Sequence, residues 1–412
     1  MRILQVVHQY PPSSIGGTEL YTQSLARALA RQGHKITVFY RGSVPGAGLE
    51  RREEDGILVL KTWAGTLTPR RRFLATFRDH SIRQDFERLL DEVCPDLIHI
   101  QHLIGFPVTL IHCIRKRRIP YLITLHDYWW VCPNAQLLTN YSRQLCDGPQ
   151  AYLNCARCAM ARAELGNLWP AVPALAMLMA WRASMLRSAM LHADSLIAPS
   201  RFVKDWYCSQ RVSTARIDIL PHGLEWPPGL SQRQRSGGAL RFAYIGGLSW
   251  QKGVHILIEA LGQVKGAAEL WIAGDESFDP GYVANLRVQA PPSVRFLGRL
   301  SRERVWEVLS QVDVVVVPSV WRETFSLIVH EAFAAGAPVM VSRLGALTEA
   351  VCDEENGLLL PPGDVEAWRA AVQRLVDEPD LIPRLRANVR PPMALEEHAR
   401  RLEHLYREFL AD

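Results

Sequence analysis

The sequence predicts an α/β protein built from two doubly wound, Rossmann-like domains, and three observations carry that prediction. Short apolar runs alternate with helical stretches along the whole chain, the pattern of parallel strands covered by helices on both faces. One arrangement, an apolar strand followed by a Gly-Gly loop and a helix, occurs twice, at Arg2–His8 with Gly16–Gly17 and at Leu240–Ile245 with Gly246–Gly247. The length, 412 residues with 48% hydrophobic and 22% charged, is enough for two or three cores.

The N-terminal run MRILQVVHQYPP reads as a first strand, because its apolar stretch is too short for a secretory leader and prolines follow it. A helix is expected from about Thr18 to Gln32, with Leu20, Leu25, Ala28 and Leu29 on one face and Gly33–His34 as its stop. The next strands are expected at Lys35–Tyr40, Ile57–Thr62, Leu97–Gln101, Tyr121–Thr124 and Ser195–Pro199. In the second half, Lys252–Gly253 opens a helix running to about Val264. Strands follow at Leu270–Ala273, Val294–Leu297, Val314–Val317, Val339–Val341 and Gly357–Leu360. The linker Pro221–His222–Gly223 and the Gly/Pro-rich stretch at 226–238 mark the junction. The expected domains are 1–212, 213–390 and a terminal helix, 391–412. That helix carries apolar residues at Leu395, Ala399, Leu402, Leu405, Tyr406 and Phe409, a stripe that must dock on something.

Charge is uneven: positive charges exceed negative by eight over residues 1–200, and negative exceed positive by three beyond. The excess gathers at Arg70–Arg71–Arg72 and Arg115–Lys116–Arg117–Arg118. Such runs suit an anionic membrane surface, a phosphate-bearing acceptor or a solvated face. Nucleic acid is excluded as a partner, since the runs are short and no binding signature accompanies them. The stretch Pro170–Leu191 carries Arg182 and Arg187, so it reads as a helix lying on a core or a membrane surface and not across a bilayer. A cytoplasmic protein, with or without peripheral attachment to the inner membrane face, is expected.

Two open α/β sheets bind ligands beyond the carboxyl ends of their strands, so a ligand is expected in a cleft where the domains face each other. At one such end, Val314–Val317 leads through Pro318–Ser319 to Glu323, then to a helix opened by Thr324 or Ser326 that carries Glu331. The helix start offers unpaired N–H groups to an anion, and the two carboxylates suit hydroxyl donors: the pairing fits a nucleotide sugar. Lys252, at the end of a Gly loop, can neutralise a diphosphate leaving group as charge builds on it. Gly16, Gly17 and Gly246 allow close approach of backbone to ligand. The dinucleotide fingerprint G-x-G-x-x-G is absent and Phe39-Tyr40-Arg41 ends the second strand without an acid, which argues against an NAD enzyme. His126 can hydrogen-bond a sugar hydroxyl, with Asp127 orienting it or approaching the acceptor.

The ordered set of these segments resembles family 4 retaining glycosyltransferases of the two-domain GT-B type, over nearly the whole chain. The matching residues are Gly16–Gly17–Thr18–Glu19, His126–Asp127, Pro221–His222–Gly223, Gly246 with Lys252–Gly253, and Gly298–Arg299–Leu300. They continue with Pro318–Ser319, Glu323, Glu331, Gly336–Ala337–Pro338–Val339, Glu349 and Asn356–Gly357. The resemblance implies that Glu331 holds the ribose, Glu323 the donor-sugar hydroxyls, the amides of Thr324 and Phe325 the diphosphate, and the Gly298–Arg299–Leu300 region the base. It implies that His126 sits beside the donor sugar and that the C-terminal helix crosses back to the first domain. Retention in this family is explained by front-face attack, so no protein nucleophile is assigned. No Asp-x-Asp motif calls for a catalytic metal. The chain departs from the pattern at Gly247, where the family usually has Arg; Arg299 or Arg322 is a candidate to replace that charge. The donor is expected to be a UDP-, GDP- or ADP-sugar and the acceptor a hydroxyl of a glycan, a lipid-linked sugar or a small molecule. A non-catalytic nucleotide-sugar-binding protein and a sugar-nucleotide epimerase are the competing readings.

Four of the eight cysteines, Cys132, Cys146, Cys155 and Cys158, cluster in an insertion outside the common family pattern. Their spacing suits a structural zinc tetrathiolate, with disulfides, free thiols and an iron–sulfur centre as alternatives. Cys94, Cys113, Cys208 and Cys352 are expected to be buried small hydrophobes.

Overall fold

The computed structural model describes residues 1–12, 16–42, 48–63, 65, 68–165, 169–212, 216–230, 238–277 and 279–411. The chain divides into two units, Met1–Gly223 with Ala394–Asp412, and Leu224–Met393.

The first unit is wound on an eight-stranded sheet: β1 (Arg2–Val7), β2 (Lys35–Arg41), β3 (Glu50–Glu54), β4 (Ile57–Thr62), β5 (Leu97–Ile100), β6 (Tyr121–Thr124), β7 (Ser195–Ala198) and β8 (Ile217–Ile219). Their spatial order is β3-β4-β2-β1-β5-β6-β7-β8, and only β3 runs antiparallel to its neighbour. The central strands are buried along almost their whole length, as a sheet covered on both faces requires. The order reverses between β1 and β5, which places the ends of those strands, His8 and Gln101–His102, at the switch point where open α/β sheets take ligands.

The terminal helix Leu395–Ala411 belongs to this unit. Its stripe of Leu395, Ala399, Leu402 and Tyr406 is fully buried with Tyr21, Leu25 and Leu29 of the helix Gly17–Arg31 and with Ile3, Val38 and Leu122 of the sheet; Leu405 and Phe409 flank it. Leu20, expected on the inner face of Gly17–Arg31, is only half-buried; Tyr21, one position on, points inward.

The second unit is a six-stranded, wholly parallel sheet: β9 (Leu240–Ile245), β10 (Ala268–Ala273), β11 (Val294–Gly298), β12 (Val314–Val317), β13 (Val339–Ser342) and β14 (Gly357–Leu360). The order β11-β10-β9-β12-β13-β14 reverses between β9 and β12. One face is packed by the helices Val254–Leu261, Pro280–Gln289 and Val365–Asp377, the other by Arg302–Gln311 and Leu327–Ala334.

Three boundaries differ from expectation. The first unit extends to Gly223 instead of residue 212 because β8 pairs with β7 and the Pro221–Gly223 linker packs under the terminal helix: a Cβ on Gly223 would lie 2.8 Å from Leu395 Cα. The second unit runs to Met393, whose carbonyl accepts from Leu224 N at 3.0 Å. The helix after Lys252 is shorter than expected, Val254–Leu261, with Gly262 as its end cap. Most of the Gly/Pro-rich stretch at 226–238, residues 231–237, lies outside the described residues.

Candidate functional site

In the second unit, the loops leaving β9 and β12 are locked together at the switch point. Gly253 has φ of 74°, and a Cβ there would lie 2.0 Å from the Pro318 carbonyl oxygen, so only glycine permits this approach. Val320 N donates to Gln251 O at 2.9 Å. The result sets Lys252 beside Glu323: Nζ donates to Oε1 at 2.8 Å. Ser319 Oγ (2.6 Å) and Trp321 Nε1 (2.9 Å) donate to the same oxygen, and the Lys252 ammonium stands 4.9 Å from the Trp321 ring centre. Glu323 is 5% exposed, and a buried carboxylate needs such partners. Its backbone is held as well, its carbonyl accepting from Ala346 N at 2.9 Å. Gly345, whose Cβ would fall 2.6 Å from that carbonyl oxygen, makes room.

Glu323 lies in the loop after β12, as the sequence suggests, and Glu331 in the helix that follows. The helix is Leu327–Ala334, and its cap is Ser326, at φ of 65° without a side-chain cap bond. Strained non-glycine backbone of this kind concentrates at functional sites. Thr324 and Phe325 are buried just ahead of the helix, and Phe325 stacks on His330 at 3.9 Å. Burial pushes His330 down to about 4, so it is a neutral ring at pH 7. Glu331 is 5% exposed and accepts from Arg302 Nη1 at 2.6 Å. Arg302 was not anticipated. Its signal was local: it follows Gly298–Arg299–Leu300 directly, at the start of a helix capped by Ser301.

Arg299 faces Asp275 at 3.5 Å, and Leu300 packs on the core. Gly246 approaches Gly274 closely: a Cβ on Gly274 would lie 2.2 Å from Gly246 O. Gly247 O accepts from Tyr244 Oη at 2.7 Å. A Cβ on Gly247 would meet nothing within 4 Å; crowding does not explain the missing arginine.

In the first unit, the residues at the β1, β5 and β6 ends form a buried histidine-rich network. His126 Nε2 hydrogen-bonds Gln101 Oε1 at 2.8 Å. Burial and the surrounding His222, His102, His99 and His8 hold His126 well below its usual range, so it acts as a neutral hydrogen-bonding group. Asp127 does not orient it. The Asp127 carboxylate pairs with His102 at 3.1 Å and accepts from Trp129 N at 2.8 Å, because consecutive residues leaving a strand point to opposite sides. Gln101 in turn bonds His99, which lies 2.6 Å from Tyr406 Oη and 2.7 Å from Thr124 Oγ1. His398 bonds Tyr21 Oη and the Pro221 carbonyl.

Gly16 and Gly17 lie at the start of the helix Gly17–Arg31, where a carboxylate is already placed. The Glu19 carboxylate sits there, 2.4 Å from where a Gly16 Cβ would be, and pairs with His8 at 3.3 Å.

The four clustered cysteines are drawn into one neighbourhood. Cys155 and Cys158 lie a turn apart on the helix Leu153–Arg162. Asn140 N donates to Cys158 Sγ at 3.2 Å, and Cys146 N to Leu137 O at 2.8 Å. Burial, then the neighbouring thiols, raises Cys155 to about 12. Burial also raises Cys158, to about 11. As placed, they do not make a ligand set: among the described residues no group of three or more His, Cys, Asp or Glu side chains is arranged to hold a metal ion. Of the scattered cysteines only Cys113 is buried. Cys94 and Cys352 are exposed and Cys208 half-buried; Cys94 is the C-cap of the helix His80–Val93, at φ of 44°.

A family model described as Glycosyltransferase Family 4 matches residues 15–225, and one described as Glycosyl transferases group 1 matches residues 239–378. A glycogen synthase of Mycobacterium tuberculosis is 28% identical over 391 residues, 92% of this chain and 87% of that protein. A D-inositol 3-phosphate glycosyltransferase of Mycobacteroides abscessus is 26% identical, over 88% of this chain and 77% of that one. Among solved structures, sucrose-phosphate synthase from Thermosynechococcus elongatus superposes with a TM-score of 0.77 at 21% identity, covering 100% of this chain and 99% of that one. HepE from Anabaena, in complex with UDP and glucose, superposes with a TM-score of 0.71 at 17% identity, covering 99% and 100%.

The buried histidines make stability pH-dependent. His99 is held down to about 3, and His398 and His330 to about 4, each mainly by burial. Below the ordinary value of about 6.5 the unfolded chain takes up protons that the folded chain refuses. Stability is therefore full above pH 6.5 and falls as pH drops toward 4, by about 1.4 kcal/mol per pH unit for each such histidine. Urea unfolding midpoints between pH 7 and 5 measure this, and His398→Asn should flatten the slope.

Proposed function

The chain belongs to glycosyltransferase family 4 and is a retaining glycosyltransferase that draws on a nucleotide sugar, and from that premise we propose a role for each residue of the two strand-end clusters. Family membership sets aside the non-catalytic and epimerase readings. The observation that carries the assignment is the convergence of Lys252, Ser319 and Trp321 on one oxygen of Glu323.

The donor is a nucleoside-diphosphate sugar carrying UDP, GDP or ADP. UDP is favoured by HepE, solved with UDP and glucose, although a starch synthase neighbour from Arabidopsis thaliana is bound to ADP and acarbose. Glu323, with Oε1 engaged, offers Oε2 to a sugar hydroxyl. Lys252 turns from Glu323 toward the diphosphate, where negative charge grows as the sugar–phosphate bond breaks, and so stabilises the transition state more than the ground state. The amides of Thr324 and Phe325, ahead of a helix whose first N–H groups have no intrahelical partner, meet the phosphates. Glu331 receives the ribose hydroxyls, and Arg302 keeps its buried carboxylate compensated until then. Gly298–Arg299–Leu300 borders the base, and Gly246 lets the donor approach the backbone.

The acceptor is a hydroxyl of a glycan, a lipid-linked sugar or a small molecule. Its wall is built from the first-unit strand ends: His126 as a neutral hydrogen-bonding group, Asp127 with His102, and Glu19 with His8 behind Gly16–Gly17. Carboxylates paired with imidazoles suit hydroxyls better than they suit a phosphate. The free thiols suit a reducing compartment such as the cytoplasm.

A subsidiary proposal concerns Cys132, Cys146, Cys155 and Cys158: their sequence spacing suits a structural zinc, which would have to draw together side chains that form no ligand set as placed. It has no part in the transfer chemistry. Elemental analysis of the purified chain should find one zinc, lost in Cys155→Ser/Cys158→Ser; absence of zinc ends this assignment.

A thermal-shift panel of UDP-, GDP- and ADP-sugars tests the donor site. One nucleotide class at 100 times its dissociation constant should add about 2.7 kcal/mol to stability, and Glu331→Ala should abolish the shift. Lys252→Ala should lower kcat by roughly 10²–10³-fold, the effect of removing one donor to developing charge, with a small change in KM. No shift by any nucleotide sugar would overturn the donor-site assignment. Gly247→Arg, entering open space, should leave the melting temperature unchanged and raise kcat, measured by release of nucleoside diphosphate.

A further inference from the structure

The helix Val172–Leu191 packs one face inward and exposes large apolar residues on the N-terminal part of the other, ahead of the exposed Ser184, Arg187 and Ser188. Val172, Ala176, Met179, Leu186, Ala189 and Met190 are buried, and Arg182 turns inward to the Trp129 carbonyl at 3.0 Å. On the outer face, Met177 is 70% and Trp181 is 55% exposed. Large apolar residues exposed side by side mark an interaction surface. Among the described residues, no helix is long and apolar enough to cross a membrane.

A second observation says what covers this face. The Trp181 ring stacks on Phe77 at 4.6 Å, and Phe77 contacts Phe73 at 5.5 Å. This brings the helix Pro69–Ala75 alongside, and its outer residues are Arg70, Arg71 and Leu74, all exposed. Arg78 is exposed just beyond. Arg162 stands near enough to Arg72 to oppose its charge. Segment 69–78 holds four arginines and no acid, and Val172–Leu191 holds no acid either. Asp79 faces inward, 3.8 Å from the buried Arg41. The acids flanking Val172–Leu191 in sequence, Glu164 and Asp194, are both exposed, and Asp194 accepts from Tyr121 N at 2.8 Å. Among the described residues, neither Arg70 nor Arg71 has an acidic partner. Cations gathered around exposed Trp, Met and Leu match a bilayer surface, where apolar side chains enter the headgroup boundary and arginines meet anionic headgroups. A second copy of the chain fits less well, because a two-fold contact through this face would set its arginines against their own counterparts.

We propose that this face of the first unit, centred on Trp181 and Met177 and rimmed by Arg70, Arg71 and Arg78, docks on an anionic lipid surface. It is independent of the donor and acceptor assignments, since none of its residues belongs to the strand-end clusters.

The test is co-sedimentation of the full chain with vesicles of phosphatidylglycerol and phosphatidylcholine, against pure phosphatidylcholine, at low and high salt. Binding is expected to the anionic vesicles only and to weaken with salt. Arg70→Gln/Arg71→Gln should bind roughly 30-fold more weakly. Met177→Ser/Trp181→Ser should lose binding at low salt too. Both variants alter exposed side chains, so an unchanged melting temperature shows that each still folds, and unchanged nucleotide-sugar binding separates this surface from the donor site. Failure to bind anionic vesicles, or binding that both variants retain, would overturn the proposal. So would a dimer in light scattering that Met177→Ser/Trp181→Ser dissociates, because the face would then belong to a second copy.

Discussion

The buried Glu323 carboxylate is the constraint around which the second unit's strand ends are arranged. A charge 5% exposed persists only where donors converge on it, and here three different segments supply them. Lys252 comes from the loop after β9, Ser319 from the end of β12, and Trp321 from the turn beyond. Each can reach because β9 and β12 are neighbours at the reversal of the winding. The glycines at 253 and 345 follow from the same demand. Both have positive φ, and at both a side chain would collide with the backbone that carries Pro318 or Glu323.

The first unit meets an analogous demand with neutral groups. The polar row His99, Gln101, Thr124 and His126 crosses the buried sheet, and each member is paired with another or with Tyr406. Through Tyr406 the row reaches the terminal helix, some 300 residues away along the chain (roughly the span from β5 to the C-terminus). The apolar stripe of that helix and its buried polar contacts serve one docking: Leu402 and Tyr406 bury area, while Tyr406 and His398 satisfy hydrogen bonds that burial would otherwise leave open. His126 is thereby held as a neutral hydrogen-bonding ring just beyond the carboxyl end of β6.

Much of this was legible beforehand, for identifiable reasons. Continuous apolar runs such as Val314–Val317 mark strands of a doubly covered sheet, and most were read within a residue or two of their ends. β3 escaped because ERREE is wholly charged and pairs only at an exposed edge. β8 escaped because it is three residues long. The motif residues of the second unit, Lys252, Glu323 and Glu331, were legible from their order along the chain. Arg302, Trp321 and Gln101 were not, since nothing in an isolated arginine, tryptophan or glutamine tells which carboxylate or imidazole it will face. The pairing of Asp127 with His102 in place of His126 is of the same kind: adjacency in sequence suggested one partner and the alternation of the backbone imposed another.

Sequence by itself determined the class of the protein: two doubly wound sheets, the terminal helix with its stripe, and membership of a family of glycosyltransferases. These depend on local periodicity and on the order and spacing of motifs along the chain, and such signals survive in one dimension. Tertiary structure decided which side chain meets which. It placed Glu19 over its own helix start, gave Glu331 the company of Arg302, and left Trp181 and Met177 exposed, with Trp181 stacked on Phe77. These outcomes turn on contacts between segments tens to hundreds of residues apart, whose geometry is set only when the strands take their places in the sheets.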